Sequence, residues 1–185
     1  MQRFLLDTPL AERICLTNPD LVHQIGHVLR SAVGDSIVFF DGHSPEEHLY
    51  RIESVSKRTV ECRRTAIRPS ECEPQHRVTI AQAMPNTIEK LEYALQKCVE
   101  IGATGFIIFR GDRSQKPLPN EHKRERLEKI AKEALEQCGG CIMPEIRYTE
   151  SISDAIGSPR ETFALDMGPF RADSMTEHGS ITLLV

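Results

Sequence analysis

The stretch from Val78 to Lys116, VTIAQAMPNTIEKLEYALQKCVEIGATGFIIFRGDRSQK, limits the possible folds more than any other part of the chain. Val78, Ile80 and Ala81 open it as a strand. Met84-Pro85-Asn86 breaks that strand, and Asn86 is the expected N-cap of a helix because its side chain can accept the first free N–H groups. Ile88, Leu91, Ala94, Leu95, Cys98 and Val99 recur at helical spacing and predict one apolar face. Gly102 is placed to end the helix. Phe106 to Phe109 is a short, wholly apolar run, as a strand covered on both faces requires. The pattern is a βαβ unit, whose crossover is right-handed. Open α/β sheets bind ligands beyond the carboxyl ends of their strands. The polar turn from Arg110 to Lys116 falls at such an end, so function is expected near it.

The rest of the chain adds a second texture. Residues 1–72 are rich in short strands: Arg3–Leu6, Arg13–Leu16, Ser36–Phe40, and two alternating runs. In the first run Tyr50 and Ile52 face one way and Arg51 and Glu53 the other; in the second Val60 and Cys62 oppose Glu61 and Arg63. Close spacing of such strands predicts a small barrel. A helix with apolar positions Leu21, Ile25, Val28 and Leu29, capped by Asn18 or Asp20, lies among them. Arg68 to His76 holds two prolines and no periodicity, which sets the boundary between 1–72 and 73–185. Beyond it a second helix, with Leu127, Ile130, Ala131, Ala134, Leu135 and Cys138 on its apolar face, stops at Gly139-Gly140. Strands follow at Met143–Tyr148, Thr162–Met167 and Ile181–Val185, with a short helix SISDAIG capped by Ser151. Strands alternating with helices predict a largely parallel sheet, so the fold class is α/β preceded by a small β-rich barrel.

Net charge is −4, but its distribution is uneven. Residues 110–132 hold eight Lys/Arg against four Asp/Glu, and residues 51–77 hold seven against four, whereas residues 133–185 hold three against nine. A polyanion can dock on the first two segments; solvated helix and strand faces explain the same runs. No run approaches the roughly 20 apolar residues of a membrane helix, and the N-terminus lacks the pattern of a signal peptide. A cytoplasmic location with reduced cysteines is therefore expected.

Several motifs compete for the chemistry. Cys138-Gly-Gly-Cys141 is a C-x-x-C at a helix end. A zinc site lacks two further ligands at suitable spacing, and a redox pair belongs at a helix start, where the dipole favours the thiolate. His23 and His27 are spaced i, i+4, yet nothing completes a metal site; a half-exposed helix face accounts for them. Lys97 and Glu100 lie one turn apart, either as a surface ion pair or as part of a site. Arg110, Arg113 and Lys116 cluster at the strand end, where forked cations suit phosphate.

Two ordered sets of residues carry a resemblance. The first is His23-x3-His27-Val28-Leu29-Arg30-x3-Gly34-Asp35-x4-Phe40-Asp41-Gly42. The second runs Ala81-Gln82-Ala83-Met84-Pro85, Lys97-x2-Glu100-x-Gly102, Arg113-Ser114, Ile130-Ala131-x-Glu133-Ala134-x2-Gln137-Cys138-Gly139 and Pro144-Glu145-Ile146. Together with Arg3-Phe4 they resemble the RsmE family, 16S ribosomal RNA uridine-N3 methyltransferases of the SPOUT class, over essentially the whole chain. The resemblance implies a PUA-like RNA-binding barrel over 1–72, a SPOUT α/β-knot domain over 73–185, S-adenosylmethionine as cofactor, 16S rRNA in the 30S subunit as substrate, and a homodimer. No metal, DNA or membrane is implied. Gly140 stands where the family commonly has a basic residue. Family members follow the strand matching Ile181–Val185 with a Gly-Pro-Glu-Gly-Gly loop and knotted segments, so the resemblance implies a knot domain truncated at its C-terminus. The cofactor wall would then be Leu165, Met167, Gly168 and Pro169.

Methylating N3 of uracil needs loss of the imide proton, with charge spreading over N3, O2 and O4. A guanidinium beside those oxygens lowers that cost. Arg113 is expected in this role, with Arg30 next, and Arg3, Arg30, Lys97, Arg110 and Lys116 are expected on RNA. The alternative functions are a catalytically dead RNA-binding remnant lacking the cofactor site and a small redox protein using Cys138 and Cys141.

Overall fold

The computed structural model describes residues 1–111, 114–156, 161–164 and 180–184. They divide into two compact units, Met1–Cys72 with Gly139–Ile142, and Glu73–Cys138 with Met143–Val185.

In the first unit, strands β1 (Gln2–Leu5), β2 (Arg13–Leu16), β3 (Ser36–Phe40), β4 (Glu46–Val55) and β5 (Val60–Pro69) form one sheet in the order β1-β3-β4-β5-β2. Only β1 and β3 run parallel. The expected small barrel takes the form of a curled half-barrel sheet with β1 and β2 at the ends of the strand order. Alternation along β4 and β5 buries Tyr50, Ile52, Val60 and Cys62 against Phe4, Ile37 and Phe39, and leaves Arg51, Glu53, Glu61 and Arg63 outside. This is the period-2 pattern of a sheet with one wet face. The ring of Tyr50 meets Phe39 edge-on at 5.3 Å, and its hydroxyl donates to the Ala11 carbonyl.

Between β2 and β3 lies helix α1 (Pro19–His23). Asn18 caps it, its Oδ1 accepting from Asp20 N and Leu21 N at 3.0 and 3.1 Å. The helix then widens into a π turn over Gln24–Val28. Leu29 N donates to Gln24 O and Ser31 N to Ile25 O. The wider turn rotates the face: Val22 and Ile25 are buried, whereas Val28, expected inside, is 65% exposed. A strictly 3.6-residue period cannot follow a turn that holds more residues.

The segment Gly139–Ile142 belongs to this first unit, although its position in the chain placed it with the second. Gly42 bridges to Ile142, and Ser70 Oγ donates to Gly139 O at 3.0 Å. Gly139 has φ +92°, and a Cβ there would sit 2.8 Å from Cys72 Sγ, so both backbone and space call for glycine.

The second unit is a parallel sheet of β6 (Arg77–Ala83), β7 (Gly105–Phe109), β8 (Glu145–Thr149), β9 (Glu161–Ala164) and β10 (Ser180–Leu184), in the order β8-β7-β6-β10-β9. Helix α2 (Ile88–Glu100) joins β6 to β7 and α3 (Glu121–Cys138) joins β7 to β8, and the two helices pack together. Helix α4 (Ile152–Ile156) leads to the opposite edge, and Ala155 packs on Ala81, Ile107 and Phe109. With right-handed crossovers, reversing the direction of travel across the sheet moves the connecting helix to the other face. All five residues of β7 are buried, as its unbroken apolar run requires. Leu91, Leu95 and Val99 of α2 are buried, each contributing about 1.5–3 kcal/mol. Thr87, not Asn86, occupies the N-cap of α2, and its side chain makes no capping bond. At the start of α3, Asn120 Oδ1 accepts from Lys123 N at 3.2 Å.

Candidate active site and nucleic-acid interface

Travel from β6 goes one way to β7 and β8, while β10 and β9 lie on its other side. The strand order therefore reverses between β6 and β10, and the carboxyl ends at such a reversal are where open α/β sheets bind ligands. There the chain after β7 folds back on the end of β6. Ser114 Oγ donates to Met84 O at 3.0 Å and accepts from Gly111 N at 3.1 Å. Met84 N donates to Phe109 O at 2.8 Å. This clamp ties Gly111 and Ser114 to the end of β6, and Arg110 and Lys116 are exposed. Arg113 lies outside the described residues, as do Leu165, Met167, Gly168 and Pro169. Ser114 Oγ spends its one donor and one of its two acceptor sites on the clamp.

Lys97 does not join this group. Helix α2 runs back along the sheet, so Lys97 lies near the start of β7, where Thr104 N meets Val78 O. Its ammonium donates to both Glu100 oxygens at 2.8 and 2.7 Å and lies 5.9 Å from the Tyr93 ring centre. Farther along, α2 and α3 border a hollow lined by Glu89, Glu92, Tyr93, Gln96, Ile130 and Glu133. Its three carboxylates disfavour a phosphate backbone.

Arg3, expected on RNA, points inward. Its guanidinium pairs with Glu47, donates to Gly139 O and Gly140 O at 2.8 Å each, and lies 5.3 Å from the Phe40 ring centre. Glu47 also accepts from Arg68 Nε at 2.7 Å. A strand residue next to an incoming loop meets carbonyls that only a donor-rich side chain can satisfy, and five guanidinium donors suit the task. The Gly139–Ile142 loop is far away in sequence, so no local pattern announced it.

The outer face of the first unit holds the opposite arrangement. Arg51 pairs across strands with Arg63, and Arg63 with Arg13, making a row of three arginines over β4, β5 and β2. Arg13 and Arg63 side chains are 70% and 54% exposed, with Glu53 and Glu12 only at 3.9 and 3.8 Å. Like charges directly opposite destabilise a sheet. A polyanion laid across them reverses that sign. Next to the row's end, Gly34 N donates to Ile52 O and Ile52 N to Asp35 O, which anchors the loop after the π turn. That loop carries Arg30, exposed and at φ +53°. His23 and His27 stack on each other at 5.1 Å with 24° between ring planes, both exposed. The i, i+4 spacing signalled their proximity, but their exposure as a stacked pair follows from the π turn.

Several titrations are displaced. Burial and then the Arg64 guanidinium hold His48 below its usual value. Burial raises the Tyr148 hydroxyl to about 12, with Arg124 lying 4.2 Å from its ring centre. Burial pushes the Cys62 thiol up to about 12. Cys138 Sγ lies 3.8 Å from Val99 O and 3.7 Å from Leu135 O, and buried Cys141 lies 3.4 Å from an Arg3 nitrogen. These contacts explain both cysteines as packing groups. No group of three metal-ligating side chains occurs among the described residues, and no helix there is long and apolar enough to cross a membrane.

The fold and edge define a doubly wound α/β protein carrying a mostly antiparallel β unit at its N-terminus. A family model for the RNA methyltransferase domain matches residues 71–181, and the chain belongs to that family. It is 39% identical over 138 residues to ribosomal RNA small subunit methyltransferase E of Bacillus subtilis (strain 168), a match covering 73% of this chain and 53% of that protein. The chain thus spans about half the length of this curated relative. The structure of ribosomal RNA small subunit methyltransferase E from Neisseria gonorrhoeae bound to S-adenosyl methionine superposes with a TM-score of 0.79 at 23% identity, covering 100% of this chain and 79% of that one. A putative methyltransferase from Legionella pneumophila, in complex with the same cofactor, gives 0.81 at 21% identity, covering 100% and 78%. At these identities the likeness is one of fold.

Proposed function

We propose that this chain acts in S-adenosylmethionine-dependent methylation of small-subunit ribosomal RNA in the cytoplasm, at N3 of a uridine in 16S rRNA. The observation that carries the reading is the RNA methyltransferase domain match over a sheet whose carboxyl edge presents Arg110 and Lys116 around the Ser114 clamp. The relatives' printed activity and cofactor support it. The cofactor would supply an electrophilic methyl group. The chain's part is to bind and orient the RNA and to favour the uracil anion. Arg113, which precedes Ser114 in the sequence, is assigned to O2 or O4, where a fixed positive charge stabilises the anion formed on losing the imide proton. Arg110 and Lys116 are assigned to neighbouring phosphates, and Arg30 to RNA held on the first unit, whose PUA-like role rests on the resemblance. Arg3 and Lys97 are left out because their charges are spent on Glu47 and Glu100. A second copy of the chain is the proposed partner, again from the resemblance.

The test incubates the protein with 30S subunits lacking the modification and labelled S-adenosylmethionine, then digests the RNA. N3-methyluridine is expected, and Arg113→Ala should reduce it at least about tenfold, given the size of oxyanion-type stabilisation. Label on another atom overturns the uridine-N3 assignment. Unchanged methylation by Arg113→Ala overturns the role of that residue. RNA binding without cofactor binding or transfer identifies the chain as a non-catalytic binder.

A further inference from the structure

Four irregularities fall on one short segment of the first unit. The helix widens into a π turn over Gln24–Val28. Arg30 adopts φ +53°, a conformation that non-glycine residues seldom hold without a functional reason. His23 and His27 stack in the open at 5.1 Å. Val28 and Val33 are each 65% exposed. The segment is nonetheless firmly held: Ile25 is fully buried, and Gly34 and Asp35 bond to Ile52. A fixed segment that presents stacked rings, an apolar side chain and a guanidinium to solvent is a preformed surface for a flat, anionic ligand. The arginine row Arg13–Arg63–Arg51, about 10 Å over two strand spacings on the outer face, ends where Arg51 pairs with Ser36, just after this segment.

We propose that the His23–His27 stack, flanked by Val28, is a platform for an unpaired RNA base, with Arg30 on the adjoining phosphate and the arginine row gripping the strand that leads to it. The proposal rests on the RNA-directed reading of the chain and adds a base-binding site outside the methyl-transfer edge. Single-stranded rather than duplex RNA fits, because only an unpaired base exposes a face to stack. The stack serves any base, so it secures the strand without selecting a sequence.

The test titrates the full chain with a twelve-nucleotide single-stranded RNA carrying 2-aminopurine, and with an RNA duplex, over a salt series. The parent should bind the single strand more tightly and change the 2-aminopurine fluorescence. His23→Ala/His27→Ala should weaken binding by about 5- to 100-fold, the range for losing base–aromatic stacking, with the salt slope unchanged. His23→Phe/His27→Phe should restore it. Arg51→Gln/Arg63→Gln should instead flatten the slope by about 1.4, for two phosphate contacts on a single strand. If the parent binds RNA and the alanine pair binds equally well, the stacking site is overturned while the RNA reading stands. Equal affinity for duplex also overturns it. If the parent binds neither RNA, both fall.

Discussion

The strand end around Arg3 and the loop around Arg30 lie in the same unit and treat the same side chain in opposite ways. Arg3 sits in regular strand geometry, and its charge is absorbed by Glu47 and two carbonyls. Arg30 sits in strained geometry, and its charge is left in water. The difference separates two uses of a cation. Where the backbone is relaxed and the charge is paired inside, the residue holds the fold. Where the backbone is strained and the side chain is left in water, the residue is free to meet a ligand, for which RNA is the proposal made above.

The largest expected effect is at the inner arginine. Arg3→Ala strands Glu47 in the interior with one remaining partner and frees the Gly139 and Gly140 carbonyls. Denaturant unfolding should show a loss of about 3–5 kcal/mol, the cost of breaking a buried pair. A loss below about 1 kcal/mol would erase the contrast between the two arginines. Arg30→Gly should act in reverse. Relief of the left-handed strain, about 1 kcal/mol or more, offsets the entropy that glycine adds to the unfolded chain, so stability should stay level or rise by up to about 1 kcal/mol while RNA affinity falls. A destabilised Arg30→Gly would place that residue with Arg3.

The neighbourhood of Arg3 also predicts a pH response. His48 has a folded-state value below its unfolded 6.5, so the unfolded chain takes up the proton first. Its contribution is present above pH 6.5 and is lost as pH falls through the folded-state value. His48→Gln should flatten the stability profile below pH 6.5, and an unchanged slope would remove His48 from the account. The smallest effect belongs to a third cation. Lys97→Ala removes a surface pair with Glu100 and should cost about 0.2–1 kcal/mol, with RNA affinity changed less than about twofold.

Much of this was legible in the sequence, for reasons that particular residues make plain. The apolar run of β7, the face of α2 and the glycine ending α3 are local patterns, and local hydrogen bonding and burial decide them. The alternation of β4 and β5 was equally readable, because one wet face imposes a period of two. Asn86 failed as a cap because two residues can each begin the helix, and the backbone of Thr87 took the position. Val28 failed because a π turn has no period of its own to read. Arg3 looked like a surface cation because its partners arrive from Glu47 and Gly139, and sequence proximity carries no information about them. At the strand edge, Ser114 was visible only as Arg113's neighbour, and its clamp role appears once Met84 and Gly111 are brought beside it.

The loop that satisfies Arg3 has a further consequence, in time. The first unit needs Gly139–Ile142, which the ribosome adds about 70 residues after Cys72. At about 5–20 residues per second, that is a wait of roughly 4 to 14 s. Throughout it, the β1 end of the nascent unit holds an arginine whose carbonyl acceptors have not yet been made. The N-terminal unit therefore cannot finish folding on its own schedule. Its completion is delayed until α3 has been synthesised.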